Sequence, residues 1–293
     1  MPSLYNMTMR IAIVGLGLIG GSIGLGLKKS AEAADLKIVG IPRREETIGQ
    51  AVALGAIDEG TTDHIKGVID ADLVFICTPI NLILPVINEI NPSLKKGAIV
   101  TDVGSSKHEI VSAAEKAMPK GTYFVGSHPM AGKETSKLEA AEPELFKGKA
   151  WVLTKTSRTS QKALEKMKQI VGLLGGSALE MDPKTHDLVV AGISHMPLAI
   201  AASLVNAIAG EAEKDLMTKT AASGFRDTTR IASGDPILGV DMFTTNKKAV
   251  LKMIGSFKKS LANLEKLIKA GDGEKIHDEL EKAKKFRDAL YPS

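Results

Sequence analysis

Cysteine is almost absent from this chain: Cys77 is the only one in 293 residues, so no internal disulfide can form. It closes the apolar run LVFIC and reads as a core thiol rather than a nucleophile. Aromatic residues are also scarce, at 4% of the chain. Grooves that bind nucleic acid interleave basic and aromatic side chains, so this scarcity argues against one. The net charge is only +4, and Lys247-Lys248, Lys258-Lys259 and Lys284-Lys285 lie on amphipathic stretches that read as solvated helix faces. No basic-then-apolar leader opens the chain, and no apolar run reaches the ~18–20 residues of a membrane span. There is no Cys/His cluster with metal-ligand spacing. Residues 1–8 read as a short disordered leader, and the protein as cytoplasmic.

What the sequence does contain is alternation. Short apolar, β-rich runs at 10–14, 37–41, 73–77, 98–102, 123–125, 150–153 and 178–181 are separated by helix-length segments at 19–29, 46–54, 82–90, 107–117 and 160–174. Strands alternating with helices imply right-handed βαβ units, and nearly all-apolar strands imply a parallel sheet buried on both faces. The pattern stops at Asp182-Pro183, where an N-cap residue is followed by a proline at the first helical position. Residues 183–209 then read as one long apolar helix broken only by Ser194-His195-Met196-Pro197, with helical periodicity to the C-terminus. The predicted organisation is a Rossmann-type, doubly wound, mostly parallel α/β domain (9–182) followed by an all-helical domain (183–293). The apolar 188–209 segment is hard to bury in one copy, which points to a helical dimer interface.

The run MRIAIV leads directly into Gly15-Leu-Gly17-Leu18-Ile19-Gly20. A G-x-G-x-x-G after a strand, opening a helix and starting a βαβ series is the context that makes the motif specific for a dinucleotide. Gly15 permits the tight turn, Gly17 lets the backbone approach a pyrophosphate, and Gly20 lets helix and strand pack closely. The N–H groups at the helix start, at Leu18 and Ile19, face the anion. A site for NAD usually carries an acid at the end of the second strand. Here the sequence reads VGIPRR: Pro42 takes the acid's position and Arg43 and Arg44 follow. Guanidinium groups pair with a 2′-phosphate, so NADP is favoured over NAD. Against that, Arg43 and Arg44 could simply start a solvated helix beside Glu45 and Glu46.

Ligands of open α/β sheets lie beyond the carboxyl ends of the strands. Three loops there carry chemistry. Thr78 and Pro79, in CTPI, border the adenine-ribose or pyrophosphate region; Ser105 lies in TDVGSSK and His128 in GSHPMAG. The last two loops should converge near a nicotinamide. Oxidation of an alcohol needs a base for the hydroxyl proton, and imidazole suits that task near neutral pH. On residues alone, His128 reads equally well as a histidine hydrogen-bonded into a proline turn.

The stretches IVGLGLIGGS, FICTPI, TDVGSSK, GSHPMAG, ISHMP and SGFRDTTRIASGDP, in this order, make the chain resemble the prephenate and arogenate dehydrogenases of tyrosine biosynthesis over about residues 9–270. The resemblance implies a nucleotide-binding domain, a helical dimerisation domain and a homodimer. It also implies metal-free oxidative decarboxylation of a cyclohexadienol. By the same resemblance His128 assists removal of the ring-hydroxyl proton, Ser105 links hydroxyl, histidine and nicotinamide, Arg230 holds a substrate carboxylate, and His195 lines the substrate pocket. Arg226, with Asp227, is implied as a substrate-side or interface partner. His186 reads as structural, and His64, His108 and His277 receive no role. The segment KETSKL departs from the family, many members having a glycine near Ser136, which leaves the side-chain end of the substrate open. The NADP signal and the closeness of CTPINLILP and HPMAG to cyanobacterial and plant-like members lean toward arogenate. The expectation from a sequence ending at Ser293 is that no regulatory domain is appended and that tyrosine feedback, if present, acts at the active site. Two other readings stand beside this one. A β-hydroxyacid dehydrogenase would normally place a lysine on the long helix, which 188–209 lacks; the second is a non-catalytic NADP-sensing regulator.

Overall fold

Burial along the first strand sets the layers. In β1 (Met9–Val14), Ile11 and Ile13 belong to one apolar cluster and Ala12 and Val14 to another, all four fully buried. A strand packed on both faces must lie inside a parallel sheet with helices on either side. The computed structural model describes residues 9–30, 36–133, 135 and 137–291. The expected leader at 1–8 and Ser136 lie outside the described residues.

After β1 come α1 (Leu18–Lys29), β2 (Leu36–Ile41), α2 (Glu45–Ala53), β3 (Glu59–Gly60), α3 (His64–Val68), β4 (Leu73–Ile76), α4 (Ile80–Ile90), β5 (Ile99–Asp102), α5 (His108–Ala117) and β6 (Tyr123–Val125). The six strands form one parallel sheet in the order β3-β2-β1-β4-β5-β6. Ile23 and Leu27 of α1 cover one face, while Ile83 and Ile87 of α4 and Ile110, Val111 and Ala114 of α5 cover the other. The chain therefore winds outward in both directions from β1 and β4. The two-residue β3 and one-turn-and-a-half α3 are too short to give a periodic signal.

The expected continuation of the parallel pattern needs correcting. Two of the predicted strands, now β8 (Ala150–Thr154) and β9 (Ser177–Met181), form a separate three-stranded sheet with β7 (Ser127–Pro129); α6 (Gln161–Leu173) connects β8 to β9. β7 runs antiparallel to β8, with His128 opposite Val152. GSHPMAG is thus not simply a loop, because His128 sits on a strand. Gly126 makes the change of sheet possible: a Cβ there would lie 2.5 Å from Val111 Cγ2 and 2.6 Å from Thr154 Oγ1.

From Pro183 every described element is helical. Asp182 caps α7 (Pro183–Val190) by accepting from the backbone N–H groups of Lys184 and Thr185, at 3.0 and 3.1 Å. The expected break at 194–197 is instead a π turn at Ala191–His195, closed by the Met196 N–H on the Ala191 carbonyl, leading into α8 (Met196–Ala209). Pro197 has no N–H to give the preceding turn, so the wider turn absorbs the loss without ending the helix. Pro183–Ala209 is therefore one continuous 27-residue helix, long and apolar enough by length and composition to cross a membrane. This corrects the sequence reading, which let its few polar residues divide it. α9 (Lys214–Thr220), α10 (Ser223–Thr229), α11 (Pro236–Thr245), α12 (Lys247–Ala270) and α13 (Gly273–Leu290) follow. They leave Leu216, Ile237, Val240, Leu251, Leu261, Ile268 and Phe286 exposed, as Ile193 is on the long helix. That much apolar surface is the mark of an interaction face.

Candidate active site

The turn from β1 to α1 lies at the switch point between β1 and β4. Gly15 adopts φ +92°, donates to the Ile41 carbonyl at 3.0 Å, and has no room for a side chain, since a Cβ would meet the Cys77 carbonyl at 2.7 Å. Gly20 is tighter still: its Cβ would stand 2.0 Å from the Gly15 carbonyl oxygen. Gly17 is the N-cap of α1 and offers no side-chain cap, and the first turn of the helix, from Leu18 and Ile19 onward, contains no acid. Next to this turn, the Thr78 hydroxyl oxygen is buried without a hydrogen-bond partner among the described residues, and Pro79 follows as the N-cap of α4. Unsatisfied N–H groups at a helix start, a side-chain-free cradle and an orphaned hydroxyl fit the pyrophosphate of a dinucleotide. At the end of β2, Pro42 is buried and Arg43 and Arg44 are exposed, with Arg44 3.3 Å from Glu46.

The chemistry gathers around His128, three residues beyond β6. Its Nδ1 is 2.9 Å from His186 Nε2, and His186 Nδ1 is 2.9 Å from Asp187 Oδ1. Asp187 also accepts the backbone N–H groups of Lys107 at 2.7 Å and His108 at 2.9 Å, so a carboxylate from α7 caps α5 of the other domain. Burial alone would raise the Asp187 pKa, yet the hydrogen bonds from His186, His108 and Lys107 prevail and lower it. The Lys107 ammonium, fully buried, pairs with Asp102 at the end of β5, and burial outweighs that partner to lower its pKa. Asp102 further accepts from the backbone of Gly104 and Ser127, which fixes β7 against β5. Burial foremost, then His186, Lys107 and His195, holds the His128 pKa well below the usual imidazole value. Burial also raises the pKa of the Cys77 thiol, making it a poor nucleophile.

His195 lies on the π turn and is 1% exposed. Asn246, between α11 and α12, donates its amide N–H to the Asp187 carbonyl at 2.7 Å and to His195 Nδ1 at 3.3 Å. The His195 proton therefore sits on Nε2, a buried donor with no partner among the described residues. Ser106, buried, donates to Thr245 Oγ1 at 3.0 Å, tying the loop after β5 to the same α11–α12 corner. Ser105 is half-buried on that loop. His128 Nδ1 is taken by His186. Arg230 opens the short turn Arg230–Ser233 after α10, which packs on α8. Arg226 is exposed and its Nε is 3.0 Å from Asp227.

A family model described as the prephenate dehydrogenase nucleotide-binding domain matches residues 23–180, and one for the prephenate dehydrogenase dimerization domain matches residues 182–282. Prephenate dehydrogenase of Bacillus subtilis (strain 168) is 36% identical over 98% of this chain and 77% of its own. The chain belongs to the prephenate/arogenate dehydrogenase family. Among solved structures, prephenate dehydrogenase from A. aeolicus, in complex with hydroxyphenyl propionate and NAD+, superposes with a TM-score of 0.90 at 36% identity, covering 97% of this chain and 99% of that one. Synechocystis arogenate dehydrogenase gives 0.85 at 35%, covering 96% and 100%.

Lys107, Asp187 and Asn246 carry no role in the sequence patterns, and His186 carries only a structural one. One signal was available: Asp187 is the only charged residue between Lys184 and Glu211, and a lone carboxylate on an apolar helix must have partners. His186, read as structural, is hydrogen-bonded to His128.

The buried imidazoles predict acid sensitivity. Burial lowers the His195 pKa to about 4. The unfolded chain takes up this proton near pH ~6.5, the folded one only near that lower value, so stability falls as pH drops through the window between them. The melting temperature should decline across it, and His195→Gln should decline less steeply. An identical slope in the variant would refute the assignment.

Proposed function

We propose that the chain is an NADP-preferring dehydrogenase that oxidatively decarboxylates a cyclohexadienol, converting arogenate to tyrosine, prephenate to 4-hydroxyphenylpyruvate, or both. The observation that carries the reading is the half-buried His128, hydrogen-bonded to His186 just beyond the carboxyl edge of a nucleotide-binding sheet. Gly15, Gly17, Gly20, the Leu18 and Ile19 N–H groups, Thr78 and Pro79 would hold the dinucleotide, with Arg43 and Arg44 at its 2′-phosphate. When bound, the nicotinamide accepts a hydride from the ring carbon that bears the hydroxyl.

His128 takes the hydroxyl proton as that carbon becomes a carbonyl. Its depressed pKa keeps a lone pair available near neutral pH. When the ring–carboxylate bond opposite breaks, its electron pair enters the ring and carbon dioxide leaves. The proton on His128 returns to the phenolate oxygen, so the sequence consumes no net proton. Ser105 would orient the hydroxyl, Arg230 would bind a substrate carboxylate, Arg226 would support it from the turn before, and the unpartnered Nε2–H of His195 offers a further donor. The exposed apolar residues of α9, α11, α12 and α13, with Ile193 on the long helix, support a homodimer through the helical domain, and the proposed place of action is the cytoplasm. A partner helix, not a lipid bilayer, is the occupant this domain offers its long apolar helix.

His128→Asn should lower kcat by roughly 10²–10⁴ with little change in cofactor affinity, and Arg230→Ala should chiefly raise KM, about tenfold or more. A fully active His128→Asn would remove the base from the mechanism. The cofactor preference is tested separately. Arg43→Ala/Arg44→Ala should lower the ratio of kcat/KM for NADP over NAD by about ten- to a hundredfold, the scale of lost charge-assisted hydrogen bonds. A ratio unchanged, or a native enzyme that prefers NAD, would contradict it.

A further inference from the structure

The two hydrogen bonds behind His128 do more than fill space, because each has a direction. Asp187 has a lowered pKa and is a carboxylate, so it only accepts; three donors reach it, namely two backbone N–H groups and His186 Nδ1. His186 must therefore carry a proton on Nδ1. If His186 is neutral, its Nε2 is a lone pair, and the 2.9 Å contact requires His128 to donate from Nδ1. The remaining nitrogen of His128, Nε2, is then the unprotonated one. The alternative makes His186 an imidazolium that donates at both ends and leaves His128 protonated on Nε2. That would set a second buried cation near the fully buried Lys107, at a high desolvation cost.

We propose that His186 and Asp187 are positioning residues for the reaction: they hold the His128 proton on Nδ1, so that Nε2 is the atom that receives the hydroxyl proton. When Nε2 is protonated, the new positive charge on His128 is met by the lone pair of His186, itself polarised by the Asp187 carboxylate. The relay thus stabilises charge that appears only during the reaction, where such an interaction raises kcat rather than tightening ground-state binding. The charged and titratable groups around His128 are His186, Lys107 and His195, with Asp187 behind His186 and Asp102 behind Lys107. Among the described residues, Asp187 is the carboxylate joined to His128 through an imidazole.

This inference rests on His128 being the base, and its test separates the two. In His186→Leu, Asp187 keeps its backbone N–H partners and a side chain of similar volume fills the site. Nitrogen-15 spectra of the imidazoles in the wild-type holoenzyme should report His128 protonated on Nδ1; in His186→Leu the proton should move to Nε2. kcat should fall about 10²–10³-fold with KM within about twofold, as expected when a base is held in the wrong tautomer. Asp187→Asn, where it folds, should shift the acidic limb of the kcat/KM profile to lower pH, because a charge favouring protonated imidazole is gone. An Nε2-protonated His128 in the wild type, or unchanged kcat in His186→Leu, would overturn the proposal while an inactive His128→Asn still upheld the base.

Discussion

Asp187 is a carboxylate placed on the long apolar helix Pro183–Ala209, and three donors keep it there: His186 Nδ1 and the backbone N–H groups of Lys107 and His108. Hydrogen bonds to a charged group contribute about 1.5–3 kcal/mol each, and a buried carboxylate stripped of them would be strongly destabilising. The constraint works in both directions. The helical domain cannot leave the nucleotide-binding domain without uncapping α5, and His186 cannot turn away from His128 without losing the carboxylate that fixes its tautomer. Docking of the domains and alignment of the candidate base are thus the same set of bonds. Asn246 extends the set by donating to the Asp187 carbonyl and to His195, which lies on the same helix.

The second fixed element is the Asp102–Lys107 pair at the end of β5. It is fully buried, receives the backbone of Gly104 and Ser127, and so holds β7, the strand that carries His128, against the carboxyl end of β5. Gly126 makes the bend into β7 sterically possible. The candidate cofactor cradle at Gly15 and Gly20 is set by the packing of β1 against β4, a different part of the same sheet. The two halves of the site are therefore positioned by one rigid layer. That suits a reaction in which hydride and proton must leave a single ring carbon and its oxygen.

Apart from β3, the strands of the main sheet, with α1 and the glycine turn, were legible in the sequence because local patterns encode them: apolar runs bounded by turns, and glycines where a side chain collides with backbone. His128 and Ser105 were legible as candidates from their place after strands. What stayed hidden was nonlocal. His186 is 58 residues from His128, and Asp187 is 80 from Lys107, so no spacing rule connects them. The strand at Ser127–Pro129 was hidden because three residues around a proline show no alternation. The membrane-length character of Pro183–Ala209 was masked by a few polar residues, one of which, His195, is bonded to Asn246. The π turn that carries His195 follows from Pro197, but its width could not be read from the proline alone.

These features converge on one claim, that the family's chemistry is carried out by this constellation. The direct measurement is nicotinamide absorbance with purified protein, given prephenate or arogenate, each with NADP or NAD. Reduction of the nicotinamide, with release of carbon dioxide in equal amount, is expected for at least one cyclohexadienol, faster with NADP. No turnover in all four combinations would contradict the central claim.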